Sequence, residues 1–141
     1  MPLKLPKLAL TLFVVAALVG FSDSAYLTAQ HVRGVIPPCG VLNNCETVLT
    51  SAYATITGIP VAAFGVFYYG LLIVLLIAFF DTGDRRILHV MSWIVTTGVL
   101  ATLYFIYVQA FIINAWCPYC LVSATMTGIL FALSVYIMRI D

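Results

Sequence analysis

A chain of 141 residues that is 64% hydrophobic and 8% charged, with a mean hydropathy of +1.15, is far too apolar for a soluble domain and reads as an integral membrane protein of one domain's length. Its net charge of +1 offers neither a basic face for nucleic acid nor an acidic tail for a soluble partner. What the composition leaves to be explained is four cysteines in so apolar a chain.

The first apolar stretch, 8–30, follows Lys4 and Lys7. It continues through "SAYLTAQHV" with no clean small-x-small cleavage site, so a retained helix is expected rather than a signal peptide. Asp23 sits in its later part between Ser22 and Ser24. An ionisable residue at membrane depth is a functional candidate, here for a proton role; an interhelical hydrogen bond is the plainer alternative. His31, just beyond this stretch, reads as a solvated loop residue.

The following loop, "RGVIPPCGVLNNCETVLTSAYATITGIP", carries Cys39 and Cys45. Pro37, Pro38 and Gly40 keep the backbone around Cys39 irregular. Asn43 and Glu46 have the spacing of a capping box and predict a short helix, "CETVLTSAYATI". Leu49, Tyr53 and Ile56 would lay that helix on the membrane surface. Gly58 and Pro60 end it and open the second apolar helix, 60–80. A third, 88–113, follows Arg85 and Arg86 and bears Gln109 near its end, a packing or interface group.

Then comes "NAWCPYCLVS" and the fourth apolar stretch, 120–138. Proline is favoured at the first position of a helix, so Pro118 makes Cys117 the N-cap and puts Cys120 inside the first turn. Tyr119 reads as an interfacial anchor. Each stretch reaches the ~20 residues that cross a bilayer, and backbone groups in lipid must be paired within the segment, so all four are helices. The expected fold is an all-α four-transmembrane-helix bundle with a short interfacial helix in the first outer loop.

Five of the six basic residues, Lys4, Lys7, Arg85, Arg86 and Arg139, share one side, and Arg33 alone takes the other. By the positive-inside rule both termini are expected in the cytoplasm and all four cysteines outside, the signature of a multi-pass plasma-membrane protein. Disulfides form and persist on that face, and four cysteines sorted into two pairs suggest two dithiol/disulfide couples. Zinc is one alternative, though five residues separate Cys39 from Cys45, wider than usual ligand spacing. Structural bridges are another, but a Cys-x-x-Cys ring is strained and easily reduced. Redox chemistry accounts best for the pattern, because a helix N-terminus lowers the pKa of a thiol and the thiolate is the nucleophile. No metal is expected.

The Cys-x5-Cys, Ser51 six residues on, "GIPVAAFG", four helices and the late "CPYC" together resemble the bacterial branch of the vitamin K epoxide reductase family, over nearly the whole chain. The resemblance implies a four-helix bundle around a quinone, ubiquinone or menaquinone. It implies that Cys117 and Cys120 are the catalytic couple, with Cys120 facing the quinone. Cys39 and Cys45 would then shuttle electrons from a DsbA-like or thioredoxin-like partner outside the cytoplasm. It gives Ser51 a hydrogen-bonding role toward a thiolate or the quinone. The animal enzymes keep an asparagine at the start of helix two and a tyrosine one turn after the second active-site cysteine. Val61 and Ala124 stand in those places here, which argues against epoxide reduction as the task. The DsbB-type quinone oxidases also pair four helices with two cysteine couples, but in the reverse chain order. Residues 1–141 are expected to form one such domain without a fused thioredoxin-like domain, so that the partner is separate. The competing class is a non-enzymatic membrane subunit or small transporter braced by structural disulfides.

Overall fold

The computed structural model describes residues 7–34, 55–56, 58–113 and 118–140. Helix α1 spans Lys7–Arg33, longer than expected because no proline or glycine cap interrupts it before Gly34. Gly34 adopts φ 71°, where a side chain would be strained, and its N–H caps the His31 carbonyl at 3.1 Å. His31 therefore belongs to the last turn of α1, not to a loop.

Residues 45–54 of the anticipated interfacial helix lie outside the described residues. Its last two positions are not helical: Thr55–Ile56 form β1, paired antiparallel with β2, Ile59–Pro60. Gly58, at φ 83°, supplies the left-handed residue of the tight turn between them. That local turn competes successfully with helix in a segment rich in Thr and Ile, whose β-branched side chains favour extended backbone.

Helix α2, Val61–Thr82, ends on Gly83 in the left-handed region, and the Gly83 N–H bonds to Phe79 O at 2.7 Å. The next residue, Asp84, caps helix α3, Arg85–Tyr107: its Oδ1 accepts from the Arg86 N–H at 2.9 Å. Two residues thus join α2 to α3, which forces the helices to run antiparallel as neighbours. The third apolar stretch does reach residue 113, but its last part, Val108–Ile113, is a π-helix. Helix α4, Pro118–Ile140, starts on its proline.

All four helices are long and apolar enough to cross a membrane, and they form a four-helix membrane bundle. Helix α1 packs on α2 and α4, and α3 packs on the same two helices, so α1 faces α3, and α2 faces α4, across the diagonals. The side of α1 that meets its neighbours is built from small residues: Ala9, Ala16, Ala17, Gly20 and Ser24 are buried along it. Apolar surface gains little by leaving lipid, so close backbone approach and dispersion must hold the helices together, and small residues permit both. Outward-facing Leu12, Phe67, Val74, Ile77, Trp93 and Leu103 are exposed, as a lipid-facing surface requires. At the end of the bundle away from Cys120, Leu10, Phe13, Leu76, Leu88, Met91 and Ile137 close around one small void.

A Cβ at Gly20 would run into the ring of Tyr69, whereas one at Gly128 would meet nothing within 4 Å. Alanine is the better helix former by about 1 kcal/mol. Gly128→Ala should therefore leave the unfolding temperature in detergent unchanged or raise it. Gly20→Ala should lower it, by about 1–3 kcal/mol of stability, because the overlap outweighs the gain in propensity.

Candidate functional site

Cys120 is half-buried in the first turn of α4. Two aromatic rings dock that turn onto α1: Tyr119 lies 5.6 Å from Tyr26, centroid to centroid. Gln30, one turn further along α1, donates from Nε2 to Tyr26 Oη at 3.3 Å. The start of α4 is thereby held against the end of α1, which fixes the approach to Cys120.

Below Cys120, at i+3 and i+7 on the same helical face, lie Ser123 and Thr127. They meet Tyr69, which projects from α2 across the diagonal and is 1% exposed. Its hydroxyl donates to the Ser123 carbonyl at 2.9 Å. Ser123 Oγ and Thr127 Oγ1 each lie 2.9 Å from the same oxygen. A phenol has one proton to give and two lone pairs to fill, so with both hydroxyls donating the cluster satisfies Tyr69 completely. Gly20 of α1 leaves the space that the ring occupies. One side chain thus ties α1, α2 and α4 together in a dry interior, where unpaired hydroxyls are expensive.

Tyr68, the preceding residue, points toward α3. Its ring stands edge-on to that of Tyr69, with centroids 4.9 Å apart and planes at 73°. Its hydroxyl sits in the notch left by Gly98, where a Cβ would collide with it. This Oη is buried, and no described residue meets it in hydrogen-bonding geometry. The same holds for one carboxylate oxygen, Asp23 Oδ2 on α1. Asp23 is close enough to Tyr69 to act on it electrostatically.

Of the residues singled out in the sequence, Asp23 and Cys120 fall at the same end of the bundle, on helices that pack together. Gln109 is buried in the π-helix and donates to the Phe105 carbonyl at 3.4 Å, in keeping with a packing role. Cys39, Cys45, Ser51 and Cys117 lie outside the described residues. Val61 and Ala124 are both half-buried and bring no polar atom. Tyr68, Tyr69, Ser123 and Thr127 escaped the sequence reading. Two signals pointed to them: a paired tyrosine in a helix otherwise almost wholly apolar, and hydroxyls spaced at helical intervals after Cys120. Among the described residues, no three His, Cys, Asp or Glu side chains converge as a metal ion would need.

A four-helix membrane bundle with a cysteine in the first turn of its last helix, above a buried hydroxyl cluster, defines the class. The chain belongs to the vitamin K epoxide reductase family, which it matches over residues 11–135. It is also similar to the thiol-disulfide oxidoreductase LTO1 of Arabidopsis thaliana, 32% identical over 121 residues that cover 80% of this chain. Those residues make up 32% of the plant protein, so the chain spans about a third of that relative's length.

Because the Tyr69 hydroxyl is fully paired, Tyr69→Phe should cost about 1–2 kcal/mol in detergent unfolding titrations. Ser123→Ala and Thr127→Ala should each cost less alone. Combined with Tyr69→Phe they should add almost nothing, since the three groups share one network.

Proposed function

We propose that this protein is a membrane thiol–disulfide oxidoreductase that generates disulfides outside the cytoplasm. Electrons pass from a thioredoxin-fold, DsbA-like partner to Cys39 and Cys45, then to Cys117 and Cys120, and finally to a membrane quinone. Membership of the family and the name of the plant relative support the general activity. The observation that carries the specific reading is the position of Cys120, in the N-terminal turn of α4 with Pro118 at its head. Unpaired N–H groups and the positive end of the helix dipole favour a thiolate there.

The sulfur chemistry balances through mixed disulfides. A thiolate of the reduced partner attacks the Cys39–Cys45 disulfide, the partner's second thiol resolves the adduct, and the partner leaves oxidised. The Cys45 thiolate then attacks Cys117 in the Cys117–Cys120 disulfide and expels Cys120 as a thiolate. Attack of Cys39 on Cys45 restores the loop disulfide and frees Cys117, leaving the Cys117–Cys120 pair reduced.

The residues at this end of the bundle suit a quinone, because two polar atoms, Tyr68 Oη and Asp23 Oδ2, are buried without a hydrogen-bond partner among the described residues. A bound ubiquinone or menaquinone would supply the oxidising power, taking up two electrons and two protons. Asp23 would hand on protons from α1, and Ser51 would hydrogen-bond a thiolate or a quinone oxygen. The basic residues Lys4, Lys7, Arg85, Arg86 and Arg139 set the orientation, with both termini in the cytoplasm and the cysteines facing the exterior or periplasm.

Reconstitution with a reduced DsbA-like protein and ubiquinone or menaquinone, reading quinone reduction, tests the proposal directly. Cys120→Ala should fall to background. In that variant the Cys117 thiolate should attack the loop disulfide and accumulate as a Cys45–Cys117 bond, detectable by peptide mapping under non-reducing conditions. Wild-type turnover in Cys120→Ala would refute the scheme. Cysteines whose trapped redox state ignores both quinone and partner would point instead to a non-enzymatic membrane protein with structural disulfides. Asp23→Asn should slow quinone reduction by about 10²-fold, the usual contribution of a positioned proton donor, without blocking thiol exchange with the partner.

A further inference from the structure

We infer that the Tyr68 hydroxyl is a ligand-binding group, the hydrogen-bond donor to a carbonyl oxygen of the quinone. The inference rests on the quinone-linked reading given above. Of the two adjacent buried phenols, only one has a proton to spare. The Tyr69 hydroxyl is consumed by the Ser123 carbonyl and by the hydroxyls of Ser123 and Thr127. The Tyr68 hydroxyl is equally withdrawn from solvent but donates to nothing among the described residues.

Leaving a buried hydroxyl unmatched is unfavourable, and folded proteins rarely do so without a reason. Packing gives no such reason. Helix α2 uses phenylalanine at positions 64, 67, 79 and 80, and phenylalanine at 68 would fill the same space without the penalty. The room for the oxygen is itself built in, because Gly98 of α3 withholds the one carbon that would collide with it. The ring cannot easily turn away, since Tyr69 packs edge-to-face against it.

The chemistry of the missing partner follows. It must accept a hydrogen bond, enter an apolar interior and lie near the redox end of the bundle. An oxidised quinone has carbonyl acceptors and no donor of its own. Tyr68 packs edge-to-face on Tyr69, whose hydroxyl meets Thr127 on the face of α4 that carries Cys120. Thr127 lies seven positions after Cys120, about 10 Å along the helix axis. Tyr68 would thus contribute the polar contact that neither Val61 nor Ala124 can make.

Tyr68→Phe, which removes only the oxygen, tests this in the full-length protein in detergent. Two quantities are read: the unfolding temperature without quinone, and the dissociation constant of a short-chain ubiquinone and of menadione from quenching of tryptophan fluorescence. Without quinone, Tyr68→Phe should unfold at the wild-type temperature or above it, whereas Tyr69→Phe should unfold below it. The dissociation constant of the quinone that binds should rise about tenfold in Tyr68→Phe, the usual effect of losing one hydrogen bond. Equal dissociation constants in the wild type and Tyr68→Phe would overturn the role of Tyr68 and leave the quinone reading standing. A lower unfolding temperature for Tyr68→Phe without quinone would also overturn it, by showing that the hydroxyl has a structural partner. If neither quinone binds the wild type, the quinone reading itself fails, and the role of Tyr68 with it.

Discussion

The structure turns on one hydroxyl. Tyr69 reaches from α2 across the diagonal of the bundle to α4 and forms three contacts of 2.9 Å there. A bundle in lipid has little hydrophobic force between its helices, so its geometry is decided by where backbones can approach and where polar groups must pair. Tyr69 requires both. Its ring fits only because α1 offers glycine at position 20, and its oxygen is satisfied only because Ser123 and Thr127 recur on the correct face of α4. Three helices are thereby fixed relative to one another a short distance below Cys120.

That constraint organises the rest of the site. With α1 and α4 locked, Tyr26 and Tyr119 meet at their adjoining ends, and the first turn of α4 is held where the helix dipole can act on its thiol. Asp23 comes to the same end on α1, one of its oxygens buried without a hydrogen-bond partner among the described residues. Tyr68 precedes Tyr69 in sequence but faces a different neighbour, α3, where glycine again makes room. Adjacent residues on a helix diverge by about 100°, which is why one phenol completes the internal network and the other has no hydrogen-bond partner among the described residues.

The caps show how local chemistry sets the frame for this packing. Gly83 ends α2 and Asp84 begins α3, and the two-residue link makes those helices antiparallel neighbours before any side chain packs. Pro118 starts α4 and so puts Cys120 in its first turn, while helical periodicity alone puts Cys120, Ser123 and Thr127 on one face. A helix started one residue later would be capped differently at the cysteines, yet the internal spacing of those three side chains would be unchanged.

Much of this was legible in the amino-acid sequence. Length and apolarity identify four spanning helices, because a bilayer core demands about 20 apolar residues per crossing and tolerates no unpaired backbone. Pro118 reveals where the last helix starts, and the spacing of the four cysteines with "GIPVAAFG" and "CPYC" leads to the family. Local signals misled where a turn outcompeted a helix: Thr55 and Ile56 are extended because Gly58 folds the chain back on itself. The central hydroxyl network was not legible, although its residues were in plain view. Tyrosine on a membrane helix reads equally well as an interfacial anchor or a core group. Only the packing of α2 against glycines on α1 and α3 turns Tyr68 and Tyr69 inward. Periodicity tells which residues share a helical face, but which helix that face meets is decided by tertiary contact. Among the described residues, that contact leaves one phenol paired and the other unpaired.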